Sequence, residues 1–516
     1  MAQEALRLQA PTPLPLTHDR PSLRWMPQAL RLWHLAAWSL LPPGGGYAQS
    51  EGPRYVLCTS PARPPAAQLG NRLLRVYAAS IAGAPDSDQP GRQPIPLELR
   101  AALFLDRPRW EVRLPDIKDR RPDSGHAPNV SYAKCRAHSL PEFTQVFCRP
   151  LGRPNSANAT AATGRIASFR NSELRHDFAV CPLGATALHL RPGHGAVSPR
   201  RIRVEMRLQT PKFIRRFKNE SVHVAQGIED ASAALPLEFC RVDRPFMKLS
   251  FCSQPLFGYS AMREKMRWVV EDWLDYHLGH FGFEHAEIYD TDGSFAEVME
   301  PWARNNAWHG RTLTYHKKWP SALSETLQAL SLEHPYCTET YAYAHCLTTH
   351  RATSRWVALL HAPDEYLVVR RNQADWAFRE VIEGVERDLP KSETAGFLGV
   401  DAYSFAFGGP DAETEDLSLR GSVLSASRLR SPAHYHHTPI LDPLTCLCAG
   451  PHACYAEATW MGQFGGMSRE VSPGLLMLHH YVEMMPGLRG RCGTHQGPCQ
   501  VPDSVMAWAV EMLRGQ

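Results

Sequence analysis

No two cysteines of this chain stand in C-x-x-C spacing, and no cysteine pair is followed by an H-x-x-x-H that would complete a zinc finger. The redox and finger chemistries that use those spacings are excluded. Charge of one sign is also scarce. Lys and Arg total 56 against 52 Asp and Glu, a formal +4 over 516 residues, which does not indicate binding to nucleic acid through bulk charge. Long apolar runs are missing as well. The stretch LWHLAAWSLL, residues 32–41, is too short for a membrane span.

What is present points to a secreted or lumenal globular protein. Hydrophobic residues make up 43% of the chain, enough for a sizeable core, and the length suits two or three domains. Proline, at 43 residues, favours short strands and turns over long helices. Thirteen cysteines include Cys135, Cys148 and Cys181 in the first half and Cys446, Cys448, Cys454, Cys492 and Cys499 in the last quarter. They read as disulfides in an oxidising compartment or as buried thiols in cytosol. N-x-S/T acceptors at Asn129, Asn158 and Asn219 favour the first reading. Arg31, residues 32–41 and the following PPGGGYAQS resemble a signal peptide, and a proline-rich disordered leader is the alternative.

Composition divides the chain into a leader over residues 1–50, a β-rich module over 51–210, a connector over 211–245 and an α/β domain over 246–516. In the module, RVEMRLQ and WEVRLP alternate apolar and polar positions as half-buried strands do. A sandwich-like fold that binds carbohydrate is expected there. After Phe246 the grammar becomes strand, helix, strand, helix, strand. FMKLSFCSQP is followed by a helix with Val269, Val270, Trp273 and Tyr276 at helical spacing, then by HAEIYD, a helix after Ser294, and a helical stretch near residues 341–351. That order predicts an open, mostly parallel sheet whose ligands sit beyond the C-terminal strand ends. Asp290 ends one such strand, and Asp364 and Glu365 end another after His361. Adjacent strand-end carboxylates suit a hard divalent cation that bridges phosphate oxygens.

RWVALLHAPDEYLVV resembles the W-V-A-F-I-D-V-D-E-F signature of glycosyltransferase family 92. Other stretches fall in the same order. FMKLSFCSQPLFG is similar to the family's first strand. In REKMRWVVEDWLDYHLGHFGFEHAEIYDTDGS, the residues Trp273, Tyr276, His277, Gly282, Tyr289, Asp290 and Ser294 match its E-W-x-x-Y-H…IYDN-x-S motif. Ala344, His345 and Cys346 match its A-H-C segment, and His480 with Tyr481 its N-H-Y motif. The resemblance implies a GT-A fold and an inverting transfer of galactose from UDP-galactose to a glycan in the Golgi lumen, with a divalent metal, manganese, as cofactor. Its implied metal ligands here are Asp364, His361 and His480, and Asp290 and Glu365 would contact the nucleotide sugar. The expected partners are a UDP-sugar donor, a glycan or polysaccharide acceptor, a membrane reached through the N-terminus and a second copy of the chain.

Three features depart from the pattern, one of them a C-terminal region richer in cysteine than the family's. The first acid of the family's D-x-D is absent: His361 or Ala362 takes its place, according to the alignment chosen. The turn YDTDGS also differs from Y-D-N-x-S. An inverting transfer needs a base for the acceptor hydroxyl, and Asp401, Asp411 and Glu413 qualify by position. Each candidate has a structural alternative. Asp290 could cap a turn, Asp364 and Glu365 could sit in salt bridges, and His361 and His480 could be hydrogen-bonded interior histidines. Trp273 and His277 read first as core, His345 and Cys346 as helix packing or a disulfide, and AHYHHTP (433–439) as a pocket-lining loop. A catalytically degenerate glycan- or nucleotide-binding protein is the rival reading of the whole chain.

Overall fold

Apolar–polar alternation builds the first sheet. Its strands are β1 (Tyr55–Leu57), β2 (Ala66–Leu69), β3 (Arg72–Ala82), β4 (Glu98–Leu105), β5 (Gln145–Leu151), β6 (Ala162–Arg170), β7 (Arg175–Pro182), β8 (Arg201–Gln209) and β9 (Ser232–Arg241). They pair antiparallel in the order β1-β9-β8-β5-β6-β7-β4-β3, and β3 pairs back to β1, closing an eight-stranded barrel with β2 added beside β3. The expected sandwich is therefore corrected to a closed barrel. Alternation marks one buried face in either architecture, whereas closure depends on β1, whose Tyr55 stands opposite both Ile81 and Arg241. The barrel also takes β9 from the stretch read as a connector.

The barrel's two sides differ. On β8, Val204, Met206 and Leu208 fill the interior while Arg201, Arg203 and Arg207 face solvent. On β3, β4 and β7 both faces are buried: Leu99, Ala101 and Leu103 point inward, and Ala102, Phe104 and Phe178 pack outward against the rest of the protein. The Cys148–Cys181 disulfide joins β5 to β7 beside the intervening β6. There Gly164 has no room for a side chain, because a Cβ would lie 2.5 Å from Cys181 Sγ.

The second sheet begins with β10 (Met247–Leu256), α1 (Tyr259–Lys265), α2 (Val269–Leu274) and a π-helical turn (Asp275–Phe281). Then follow β11 (His285–Asp290), α3 (Ala296–Arg304), β12 (Thr312–Lys317), α4 (Glu325–Glu333), α5 (Glu339–His350) and β13 (Ser354–Leu360). The π turn stops at Gly282, whose φ of 100° suits glycine. These four strands are parallel in the order β12-β11-β10-β13. The chain thus steps outward from β10 and returns to its other side, placing a topological switch at the C-terminal ends of β10 and β13.

Beyond β13 the pattern changes. The later strands are β14 (Glu365–Val369), β15 (Phe397–Phe407), β16 (Ser427–Arg430), β17 (His436–Leu441), β18 (Cys448–Gly450), β19 (Ala453–Tyr455), β20 (Ser468–Val471), β21 (Leu476–His480) and β22 (Val501–Pro502). β17 pairs antiparallel with β13 and β15, and β14 pairs antiparallel with β21. The result is an 11-stranded sheet curled into a half-barrel. The expected α/β GT-A fold is overturned, since the protein is mostly strand. The βαβ grammar holds only from β10 to β13, and the short strands that follow add by a mixture of antiparallel and parallel pairings.

The computed structural model describes residues 54–58, 64–83, 97–106, 140–141, 143–151, 161–170, 175–183, 200–212, 228–243, 245–265, 267–304, 310–333, 338–369, 381–384, 397–407, 427–433, 436–450, 452–455, 468–481 and 501–502. The leader, the WEVRLP stretch, the three N-x-S/T acceptors, Cys135, Cys492, Cys499, Asp411 and Glu413 lie outside them.

Alternate residues of β13 serve two cores. Trp356, Ala358 and Leu360 pack with α2 and the π turn, while Val357 and Leu359 pack with α5 and the outer face of the barrel. Polar bonds fix that junction. Buried Arg351 donates to the carbonyls of Ala82 and Glu98 and pairs with the Glu98 carboxylate at 3.0 Å. Among the described residues, four disulfides join Cys58 to Cys240, Cys148 to Cys181, Cys252 to Cys346 and Cys446 to Cys454. They fit folding in an oxidising, secreted or lumenal compartment. Among the described residues no helix is long and apolar enough to cross a membrane.

Candidate functional site

The strand that ends in acid proves to be two strands joined by a turn. β13 closes at Leu360, His361 to Asp364 make the turn, and Glu365 opens β14. Both carboxylates are buried, Asp364 at 2% exposure and Glu365 at 0%. Their environments differ. Glu365 Oε2 accepts the His361 backbone N–H at 2.8 Å, and its Oε1 lies 2.7 Å from His361 Nδ1. Neither oxygen of Asp364 accepts a hydrogen bond among the described residues. Its nearest titratable partner is His480, with Nε2 3.4 Å from Oδ2.

The cross-strand register explains the meeting. Glu365 on β14 stands opposite His480 on β21, and the Tyr481 N–H donates to the Asp364 carbonyl at 2.8 Å. Burial disfavours charge on both histidines, but the carboxylates outweigh it. Glu365, with Glu339 and Asp364 behind it, holds His361 at about 9, and Asp364 pulls His480 upward. His452 lies on the other flank, its ring 5.6 Å from that of His361 and its Nδ1 3.1 Å from the His437 carbonyl. Burial and the neighbouring imidazoles push His452 down to about 4. His437 in turn sits 3.1 Å from Asp401. Asp364, Glu365, His361, His480 and Asp401 are thus brought to one end of the sheet. Sequence reasoning passed over His452 and placed His437 in a loop lining an acceptor or diphosphate pocket, whereas it stands on a strand, β17.

The motif on α2 and the π turn supports this end of the sheet. The Trp273 indole N–H donates to the Glu365 carbonyl at 2.9 Å, and the Tyr276 hydroxyl donates to the Leu367 carbonyl at 2.8 Å. His277 donates from Nδ1 to the Trp273 carbonyl, which leaves Nε2 to face the Leu367 N–H at 3.4 Å. Burial lowers His277 to about 3, so it stays neutral, as this role requires. Three side chains therefore hold the backbone of β14 in register behind the acids.

Asp290 does not join the group. It ends β11, and its carboxylate accepts the N–H groups of Gly293 and Phe295 and the Tyr315 hydroxyl. That is the turn-capping arrangement, and burial with the nearby Asp292 raises Asp290 to about 6.

A second cluster lies on the α5 side of the sheet. Glu287 in mid-β11 has His316 Nε2 at 2.7 Å, His350 Nε2 at 2.9 Å, His345 Nδ1 at 3.4 Å and His285 Nε2 at 3.7 Å. Burial alone would raise Glu287, but four imidazoles bring it well below the usual carboxylate range. Its one sequence signal is the period of two in HAEIY, which puts His285, Glu287 and Tyr289 on one face. The matching histidines come from β12 and α5, and no local pattern ties them together.

Among the described residues, the groups whose ligating atoms all lie within 4.8 Å of one another include Glu287 or the Cys252–Cys346 pair, and none contains Asp364. Cys252 and Cys346 are disulfide-bonded and have no thiolate to offer. A hard divalent ion such as Mg2+ takes one or two carboxylates and completes its shell with substrate phosphates and water, and the Asp364 carboxylate has that donor chemistry. No family model, curated protein or solved structure matches this chain.

Proposed function

We propose that the chain is an inverting glycosyltransferase that moves a hexose, galactose by the motif resemblance, from a UDP-sugar to a glycan acceptor in the Golgi lumen. The observation that carries this reading is the Asp364 carboxylate. It is buried at the switch point of the parallel strands and accepts no hydrogen bond among the described residues. A buried carboxylate whose ion-pair partner, His480, stands 3.4 Å away is costly to keep, consistent with a site kept open for a ligand. The reading needs only this local sheet geometry.

Asp364 and His480 would hold the divalent ion, which when bound neutralises the departing diphosphate. Glu365 fixes His361 by two hydrogen bonds, so that its charged imidazole faces the same phosphates. Asp401, oriented by His437, takes the proton of the acceptor hydroxyl as that oxygen bonds to the anomeric carbon. The bond from that carbon to the diphosphate oxygen breaks on the opposite face. Hydrolysis and transfer assays over a UDP-sugar panel, with and without manganese, test the reading. Manganese-dependent sugar release that Asp364→Asn abolishes is the expected result, and a flat panel refutes it.

One feature favours a second reading, a UDP-binding protein without turnover. His361 occupies the place of the missing acid and is committed to Glu365. Calorimetry separates the two, since that protein binds UDP without manganese.

A further inference from the structure

The Glu287 cluster has no part in that reaction, and its geometry is that of a ligand set. We propose that His285 Nε2, Glu287 Oε2 and His350 Nε2 bind a zinc ion at the junction of β11, β12 and α5, a three-ligand set whose fourth position is left for water.

The spacing fits. Tetrahedral zinc with N and O ligands at about 2.0–2.1 Å places ligand atoms about 3.3 Å apart. Glu287 Oε2 lies 2.9 Å from His350 Nε2 and 3.7 Å from His285 Nε2. All three side chains are buried. Two imidazoles and a carboxylate suit a borderline ion such as zinc better than calcium or magnesium.

The outer contacts are those a zinc site uses to aim its ligands. His285 Nδ1 is 2.6 Å from Thr312 Oγ1, and His350 Nδ1 is 2.9 Å from Ser354 Oγ. Ser354 is fixed in turn by Ser250 at 2.7 Å. The second carboxylate oxygen, Oε1, is engaged by His316 and His345, which directs Oε2 towards the ligand pair. The protons balance. Without the ion, Nε2–H of His285 and His350 faces the carboxylate and the hydroxyls donate to Nδ1. With it, each proton sits on Nδ1 and is donated to the hydroxyl, so a neutral imidazole changes tautomer and releases no proton. The Cys252–Cys346 disulfide anchors α5 to β10 nearby, which keeps His350 in place.

The test uses the full disulfide-bonded protein, stripped with a chelator and reloaded with zinc. Elemental analysis should return one zinc per chain, and zinc should raise the unfolding temperature. His350→Gln and His285→Gln should each lose the metal, and Ser354→Ala should weaken it by about 10- to 100-fold. Asp364→Asn should keep it, which separates this site from the transferase reading. Zinc K-edge absorption of the wild-type protein gives a check that does not depend on the variants folding, with two imidazoles and a carboxylate expected. A wild-type protein that retains no zinc and melts at the same temperature with or without it overturns the proposal. So does a spectrum without imidazole scattering.

Discussion

The molecule holds two buried carboxylate–histidine clusters, and they are built in opposite ways. Glu287 sits mid-strand between the sheet and α5, with four imidazoles on its two oxygens. Asp364 sits in the turn after β13, with one imidazole at 3.4 Å and no hydrogen bond among the described residues. The first cluster gathers imidazoles from three elements of the fold around its charge, two of them in the set proposed above to hold zinc. The second leaves its charge to be met by something else, and burial makes that arrangement costly to keep. Similar residues at similar burial therefore point to different duties: Glu287 to holding elements together, Asp364 to chemistry.

The largest expected effect breaks the first cluster. Glu287→Ala leaves four imidazoles around an empty centre and should cost about 1–3 kcal/mol for each buried N–H left without its acceptor. Denaturant unfolding measures it, and an unchanged midpoint would mean the cluster does not brace the fold. Asp364→Asn should change stability by less than that, because it removes a buried charge and with it the partner of His480, while donor turnover falls about 100-fold or more. A fully active variant would erase the contrast.

Smaller effects sharpen it. Trp273→Phe keeps an aromatic ring but removes the donor to the Glu365 carbonyl. A loss of about 1–3 kcal/mol is expected, with weaker UDP binding because β14 is released, and calorimetry with thermal melts reads both. The smallest concerns Asp290, a third carboxylate satisfied by its own turn. Its folded value of about 6 lies above the ordinary 3.8. Its contribution to stability is therefore present in full below pH 3.8 and fades as pH rises to about 6. The stability gap between wild type and Asp290→Asn should shift against the wild type over that interval and stay level above it. A gap independent of pH would contradict this placement.

Much of the second half was legible. HAEIYD forms its strand to the residue, and the helical spacing of Val269, Val270 and Trp273 marks the face buried against Phe251. Asp364, Glu365, His361 and His480 were readable as a group through motif order and do converge. The architecture was not. Closure of the barrel rests on three residues, Tyr55–Leu57, and alternation is the same in a sandwich. A parallel sheet and a half-barrel share the β10-to-β13 grammar, and only pairings such as Val357 with Leu441 tell them apart. The Glu287 cluster was invisible for a related reason. Its members lie at 285, 287, 316, 345 and 350, and only the three-dimensional stacking of β11, β12 and α5 joins them.

The most direct test is calorimetric titration of UDP into the full-length protein with and without manganese, in wild type and Asp364→Asn. Manganese-dependent binding by the wild type, lost in the variant, is what an open carboxylate at the switch point predicts. Equal binding by both proteins, whatever the metal, would contradict it.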